Sequence, residues 1–112
     1  MIETVKIESD KGTEWDISGH AQTDICNGYS ALLCTFVEEL KHQAEGLKFV
    51  IERREHTITY NGYGETVTEG GGDSNHIWYK GKPAAESFFE TGIRLMSENY
   101  PMEVKPLQIL QA

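Results

Sequence analysis

The sequence lacks any long apolar segment. No run approaches the roughly 18 residues that a membrane-spanning helix needs, and the start, Met1-Ile2-Glu3-Thr4, has neither the basic nor the apolar region of a secretory signal. We therefore expect a cytoplasmic protein that contacts no membrane.

The sequence has only two cysteines, too few for a disulfide framework. Cys26 and Cys34 are eight residues apart on a predicted helix, where a rise of about 1.5 Å per residue separates them by roughly 12 Å. A disulfide requires Cα atoms within about 7 Å of each other. We therefore expect two free thiols and a reducing compartment.

Basic residues are also scarce. Ten Lys and Arg side chains stand against 18 Asp and Glu, which gives a formal net charge of −8. A field of this sign repels phosphate backbones and anionic lipids, so direct binding of nucleic acid or of a membrane surface is disfavoured. A basic peptide would instead be attracted.

What the sequence does contain is an ordinary globular composition, which predicts one domain over residues 1–112. Of its 112 residues, 38% are hydrophobic and 25% charged, and this length suits a single core. Alternating apolar residues at Val5–Ile7 and Trp15–Ile17, with the turn Ser9–Gly12 between them, predict a β-hairpin, and His20 stands at the end of its second strand.

A helix is predicted next, over roughly residues 25–45. Thr23 or Asp24 can cap its start, and Gly46 is placed to end it. Apolar residues recur there at steps of three and four, as on a core-facing helix. They are Ile25, Tyr29, Leu32, Leu33, Phe36, Val37 and Leu40.

The remainder predicts further strands and a second helix. Residues 47–80 are rich in β-forming residues, interrupted by a turn or loop at Gly70–Asn75. The second helix is expected to begin with Pro83 and to end at Asn99, and Val104–Leu110 can supply a final strand. The predicted apolar face of this second helix is Phe88, Phe89, Gly92, Ile93 and Met96. The order ββα–β-rich–αβ indicates an α+β fold, a mixed sheet with two helices.

Cys26 is the residue best placed for chemistry. If Asp24 is the N-cap, Cys26 lies in the first helical turn, where unpaired backbone N–H groups and the positive end of the helix dipole favour a thiolate. A thiolate is the nucleophile in acyl transfer, and the same N–H groups could bind the developing oxyanion. His20 lies across a loop of ordinary length and could act as the base. Ser30, one turn past Cys26, could orient the thiol or a water.

Helix geometry alone also allows structural readings of these residues. Free cysteines are commonly small apolar fillers, and Cys34, with no histidine near it in sequence, is interpreted that way. Ser30 could simply bond to a carbonyl one turn earlier. A zinc site from His20, Cys26 and Cys34 would lack the close paired spacing that such sites show, so neither a metal nor a cofactor is expected.

Two segments resemble a known family. Ser18-Gly19-His20-Ala21, followed by Cys26-Asn27-Gly28-Tyr29-Ser30-Ala31-Leu32, is similar to the signature of the ribosomal-processing cysteine protease (Prp) family. That family has Gly-His-Ala at a strand end and then Cys-x-x-x-Ser-Ala-Leu opening a helix. The closing segment Glu98–Lys105, which contains Tyr100-Pro101, resembles the family's C-terminal part, and the order of elements agrees along essentially the whole chain.

The resemblance implies a function and an assembly. His20 and Cys26 would form the catalytic dyad, with Ser30 and Asp24 in supporting places. Family members are homodimeric cysteine endopeptidases that remove a short N-terminal extension, after paired aromatic residues, from a large-subunit ribosomal protein. Relatives encoded in phages are associated with trimming virion proteins.

This sequence departs from the family pattern between the histidine and the cysteine. The loop is several residues shorter, Asp24 stands two rather than three residues before the cysteine, and Tyr29 is bulky where the family has a small residue. A phage or prophage member with altered specificity would explain these departures. So would a non-catalytic homodimeric module that keeps the fold and the peptide groove. A metal- or redox-sensing thiol protein is a third hypothesis.

Overall fold

The structure, a computed structural model, describes residues 1–112 and contains seven strands and two helices. In chain order they are β1 (Glu3–Ser9), β2 (Gly12–Ser18), α1 (Thr23–Gln43), β3 (Glu45–Glu52), β4 (His56–Tyr60), β5 (Glu65–Glu69), β6 (Ser74–Lys80), α2 (Ala85–Asn99) and β7 (Gln108–Gln111). The predicted α+β class and the order ββα–β-rich–αβ are confirmed. Neither helix is long and apolar enough to cross a membrane.

The strands form one mixed sheet in the order β5-β4-β3-β6-β2-β1-β7. Every neighbouring pair is antiparallel except β1 and β7, which are parallel. The pairing of β2 with β6 joins distant parts of the sequence and sets Ser18 opposite Ser74. The end of β2 and the start of β6 therefore lie side by side.

Both helices cover the same face of the sheet. Trp15 of β2 contacts Phe36 of α1 and Phe89 of α2, with ring centroids 5.3 Å and 5.0 Å apart, and the two phenylalanine rings stack at 4.3 Å. All three side chains are fully buried, and each such burial contributes about 1.5–3 kcal/mol. The indole N–H of Trp15 is satisfied by the hydroxyl oxygen of Tyr79 at 3.0 Å.

The apolar stripe predicted for α1 is buried at every position except Leu32, which is partly buried. Leu32 packs against Gly92 of α2, where an added Cβ would lie only 2.5 Å from a Leu32 methyl carbon. The glycine therefore lets the two helices approach closely.

The predicted ends of α1 need correction. The N-cap is Gln22, which makes no side-chain capping bond, and Thr23 and Asp24 are the first two helical residues. The helix ends at Gln43, before Gly46, which lies inside β3 with φ +61°. Gly46 therefore serves an irregularity of β3 rather than the helix end.

Two further boundaries differ from the prediction. Helix α2 begins at Ala85, two residues after Pro83. The last strand is only Gln108–Gln111, and Val104 makes an isolated bridge with Ile2 instead. Pro106 explains the gap, because proline has no N–H to donate to a sheet ladder.

Two adjacent aromatic pairs, Phe88-Phe89 in α2 and Trp78-Tyr79 in β6, each have one buried and one less buried member. Phe89 is buried, whereas the side chain of Phe88 is 56% exposed, so its assignment to the apolar face of α2 was wrong. Tyr79 is fully buried, and the preceding Trp78 is only partly covered. Successive strand residues face opposite sides, which accounts for the difference in β6.

A charged cluster joins α2 to Lys6 in the middle of β1. The ammonium of Lys6 in β1 lies 2.7 Å from carboxylate oxygens of both Glu86 and Glu90 in α2. Burial alone would lower the pKa of Lys6, but the hydrogen bonds and charges of the two glutamates outweigh it and raise that pKa.

Candidate active site

Cys26 lies in the first turn of α1, as the sequence predicts. Its own N–H donates to the carbonyl oxygen of Gln22 at 2.8 Å and is therefore not free. The N–H of Ile25 lies 3.1 Å from the carboxylate of Asp24. The amides of Thr23 and Asp24 are the helix-start N–H groups that have no intrahelical acceptor.

The thiol of Cys26 is held by the backbone of the loop that precedes the helix. Its sulfur accepts the N–H of Ala21 at 3.1 Å and donates to the carbonyl oxygen of the same residue at 3.3 Å. The side chain is partly buried and packs against the edge of the core. The loop therefore fixes the sulfur beside the residue that follows His20.

His20 stands two residues past β2, and its ring is paired with Asp73. Nε2 of the imidazole lies 3.1 Å from Oδ2 of Asp73, and the two side chains are 67% and 57% exposed. His20 and Cys26 line one cavity of about 270 Å³, together with Ser30 and Asp73. The imidazole and the sulfur are not hydrogen-bonded to each other: Nε2 of His20 lies beside Asp73, and the sulfur bonds to the backbone of Ala21.

Asp24 and Cys34 lie outside this cavity. The carboxylate of Asp24 bonds within its own helical turn and does not line the cavity. Cys34 is exposed, so its interpretation as a packed filler was wrong. It borders a neighbouring cavity of about 210 Å³ that shares five lining residues with the first: Ser30, Leu33, Ile51, Arg53 and Asn75.

A separate group of side chains has the composition of a metal site. The ligand atoms of Glu14, Asp16 and His76 lie within 4.8 Å of one another. Nδ1 of His76 bonds directly to the carboxylate of Asp16, its neighbour across the β2–β6 ladder. This hydrogen bond explains the grouping without an ion, and none of the three residues borders the cavity of His20 and Cys26.

Comparison with known proteins bears on the fold. No family model and no curated protein matches the chain. A solved structure does: the essential ribosomal processing protease Prp from S. aureus, in complex with a covalently linked product peptide, at a TM-score of 0.60 and 18% identity, with 100% of each chain covered. The chain has the Prp fold. The resemblance read from two short segments is therefore confirmed for the fold along the full length.

Sequence reasoning missed Asp73. It lies 53 residues after His20, at the end of a glycine run that reads only as a turn or loop. No periodic pattern marks it, and its position depends on the pairing of β2 with β6, which the order of elements does not specify. The motif in this chain marks the cysteine and the histidine but not the carboxylate that contacts the imidazole.

Proposed function

We propose that this chain is a cysteine endopeptidase that removes a short N-terminal extension from a large-subunit ribosomal protein or a phage structural protein. The observation that carries the proposal is that the Cys26 thiol, in the first turn of α1, borders one cavity with the exposed imidazole of His20. The Prp fold supports it, because the solved structure holds a covalently linked product peptide.

Acylation begins when His20 takes the thiol proton of Cys26 and the thiolate attacks the carbonyl carbon of the scissile bond. A C–S bond forms, and the negative charge passes to the carbonyl oxygen. The imidazolium then gives its proton to the leaving amine as the C–N bond breaks. The trimmed protein departs with a new N-terminus, and the extension remains as a thioester on Cys26.

Deacylation uses the same two groups. His20 takes a proton from water, whose oxygen attacks the thioester carbonyl. The C–S bond breaks, the extension leaves as a carboxylic acid, and the sulfur regains a proton from the imidazolium. The free amides of Thr23 and Asp24 are the helix-start donors for the oxyanion in both steps, a role worth about 10²–10³-fold in rate for one donor.

Turnover requires the thiol to leave its bonds to Ala21. Without substrate, the sulfur bonds to both backbone groups of Ala21, and Nε2 of the imidazole lies 3.1 Å from the carboxylate of Asp73. Catalytic hydrogen bonds are often formed only in the complex with substrate. Substrate binding that moves the loop before α1 would free the sulfur and bring it to His20.

The neighbouring cavity supports a substrate that has a large apolar side chain next to the cleaved bond. It has a volume of about 210 Å³ and opens beside the first cavity between α1 and the strands β3 and β4. Eight of its lining residues are apolar: Leu33, Cys34, Val37, Phe49, Val50, Ile51, Ile58 and Ile77. Four charged residues also line it: Glu38, Lys41, Arg53 and Glu65. Such a cavity fits a large apolar residue next to the cleaved bond, in agreement with the paired aromatic residues that the family resemblance implies.

We further propose a homodimer with a two-fold axis. Phe88 and Leu95, seven residues apart on α2, are both exposed large apolar side chains and offer the same patch on each copy. Analytical ultracentrifugation should give twice the 12.6 kDa chain mass. A clean monomer at micromolar concentration would contradict the dimer.

One observation favours a second candidate, a peptide-binding module without turnover. The sulfur of Cys26 bonds to the backbone of Ala21 rather than to the imidazole of His20, whose Nε2 lies beside Asp73. A chain fixed in this arrangement would hold a peptide in the cavity and never form the thioester.

Peptide cleavage separates the two candidates. A synthetic extension peptide with paired aromatic residues should be cut by the wild type and by Cys34→Ala, and not by Cys26→Ala, as followed by mass spectrometry. Cys34 is the matched control, since it is the other free thiol of the same helix. Binding by the wild type without cleavage would favour the module, and cleavage that needs Cys34 rather than Cys26 would refute the proposed nucleophile.

A further inference from the structure

The β2–β6 ladder brings His20 and Asp73 together. Ser18 of β2 and Ser74 of β6 are directly opposite each other at the end of this ladder. His20 follows Ser18 by two residues, and Asp73 immediately precedes Ser74. The pair is therefore built onto the end of a regular ladder rather than onto two independent loops.

The loop that carries Asp73 is anchored at several points. The N–H of Gly70 donates to the carbonyl oxygen of Glu55 at 3.1 Å, and the hydroxyl of Thr57 donates to the carbonyl oxygen of Gly70 at 2.6 Å. Gly71 lies so close to the chain that an added Cβ would be 2.1 Å from the carbonyl oxygen of Arg53. The glycine run therefore allows close packing that holds the carboxylate in place.

The segment that carries His20 is seated just as closely. Gly19 has φ +95°, a conformation that side-chain-bearing residues rarely adopt, and an added Cβ would lie 1.9 Å from the carbonyl oxygen of Met1. A glycine packed against backbone therefore lies one residue before His20 and two residues before Asp73.

We propose that Asp73 is a positioning residue for His20: its carboxylate accepts the Nε2–H of the imidazole and leaves Nδ1 to take the Cys26 proton. The inference rests on the proposed function. An ionised carboxylate offers only acceptors, so the nitrogen facing it must carry the hydrogen. A partner on one ring nitrogen sets the tautomer and the ring orientation, and it stabilises the imidazolium that forms during the reaction.

The kinetic test compares Asp73→Ala with Asp10→Ala. Asp10 is an exposed aspartate in the β1–β2 turn, at the other end of the sheet. Asp73→Ala should lower kcat about 10- to 100-fold with little change in KM, less than the roughly 10⁴-fold effect of a buried triad aspartate because this pair is solvent-exposed. Asp73→Glu should recover part of the loss, and Asp10→Ala should behave as wild type.

A double mutant distinguishes positioning from a structural effect. In a His20→Ala background, adding Asp73→Ala should cause no further loss, because the carboxylate acts only through the ring. An equal loss in both backgrounds, or a wild-type kcat for Asp73→Ala, would overturn the inference.

A spectroscopic test does not depend on turnover. Long-range ¹H–¹⁵N spectra of neutral His20 in the full chain should show hydrogen on Nε2, and Asp73→Asn and Asp73→Ala should weaken that preference while Asp10→Ala retains it. If the wild type cleaves no peptide, the endopeptidase proposal fails, yet this tautomer result would still support the orienting contact. Hydrogen on Nδ1, or a tautomer unchanged in both Asp73 variants, would overturn it.

Discussion

Two clusters of charged groups differ in how far solvent reaches them. In the middle of β1, the side chain of Lys6 is only 7% exposed, and its ammonium contacts two carboxylates of α2. Beyond the end of β2, His20 and Asp73 also pair, but both side chains are mostly exposed beside a cavity that Cys26 lines.

The buried cluster around Lys6 stabilises the fold, whereas the exposed pair of His20 and Asp73 is available to a substrate. The donors of Lys6 face Glu86 and Glu90, so a peptide would have to break an internal contact to use them. At the cavity, Nε2 of His20 lies beside Asp73, and in the proposed mechanism Nδ1 takes the thiol proton. We therefore expect substitutions in the Lys6 cluster to change stability and substitutions around His20 to change turnover.

The largest effect is expected for His20→Ala. Loss of the general base and acid should lower kcat about 10²–10⁴-fold. The free energy of unfolding in urea should change by no more than about 0.5 kcal/mol, because the side chain is exposed. His42→Ala, at an exposed histidine near the end of α1, is the control for both measurements. If His20→Ala lost much stability but still cleaved the peptide, His20 would support the fold rather than the chemistry.

Lys6→Met should show the opposite behaviour. Removing the ammonium leaves Glu86 and Glu90 without their partner, and we expect a loss of about 2 kcal/mol in the free energy of unfolding, below the roughly 3–5 kcal/mol seen for fully buried pairs. The kcat for peptide cleavage should stay near the wild-type value. Lys105→Met, which breaks an exposed pair with Glu3, should barely change stability.

Alkaline pH should remove the contribution of Lys6 to the free energy of unfolding. Its pKa is raised above the ordinary 10.5 in the folded chain, so the folded state holds this proton more tightly than the unfolded state does. The stabilisation is complete below about pH 10 and is lost as pH rises through the raised pKa. Urea unfolding of wild type and Lys6→Met from about pH 8 to 11.5 should therefore converge at the alkaline end. If the difference in unfolding free energy between wild type and Lys6→Met grew with pH, the stabilising role of the Lys6 charge would be refuted.

Ser30→Ala should have the smallest effect. Ser30 is exposed, and it borders both the candidate active site and the neighbouring apolar cavity. Loss of one orienting hydrogen bond costs about 1 kcal/mol, or roughly fivefold in kcat/KM. Ser87→Ala, at an exposed serine of α2, is the matched control. A drop as large as that of His20→Ala would give Ser30 a direct part in the chemistry.

The sequence predicted those parts of the fold where a periodic pattern persists. The stripe of α1 and the alternation around Trp15 and Ile17 are buried as expected, because amphipathic burial dominates the energy of both elements. Helix ends were predicted less well: neither Thr23 nor Asp24 is the N-cap of α1, and Gly46 lies in the irregular part of β3 rather than at the helix end.

The candidate site was predictable only in its local part. Cys26 and His20 are six residues apart, so loop length alone could place them together. Asp73 reaches His20 through the β2–β6 ladder, and a strand pairing over such a distance leaves no mark in the residues near either partner. The bonds of the sulfur to Ala21 were equally hidden, since they depend on the path of one short loop.

Covalent trapping tests the central claim most directly. The wild-type chain should react with an extension peptide that ends, after its paired aromatic residues, in a chloromethyl ketone. The thiolate displaces chloride from this reagent and forms a stable thioether. Tryptic mapping by mass spectrometry should find that thioether on Cys26, with none on Cys34 and none in His20→Ala at the same exposure time. Modification of Cys34 instead, or equal labelling of the partly buried Cys26 and the exposed Cys34, would contradict the account.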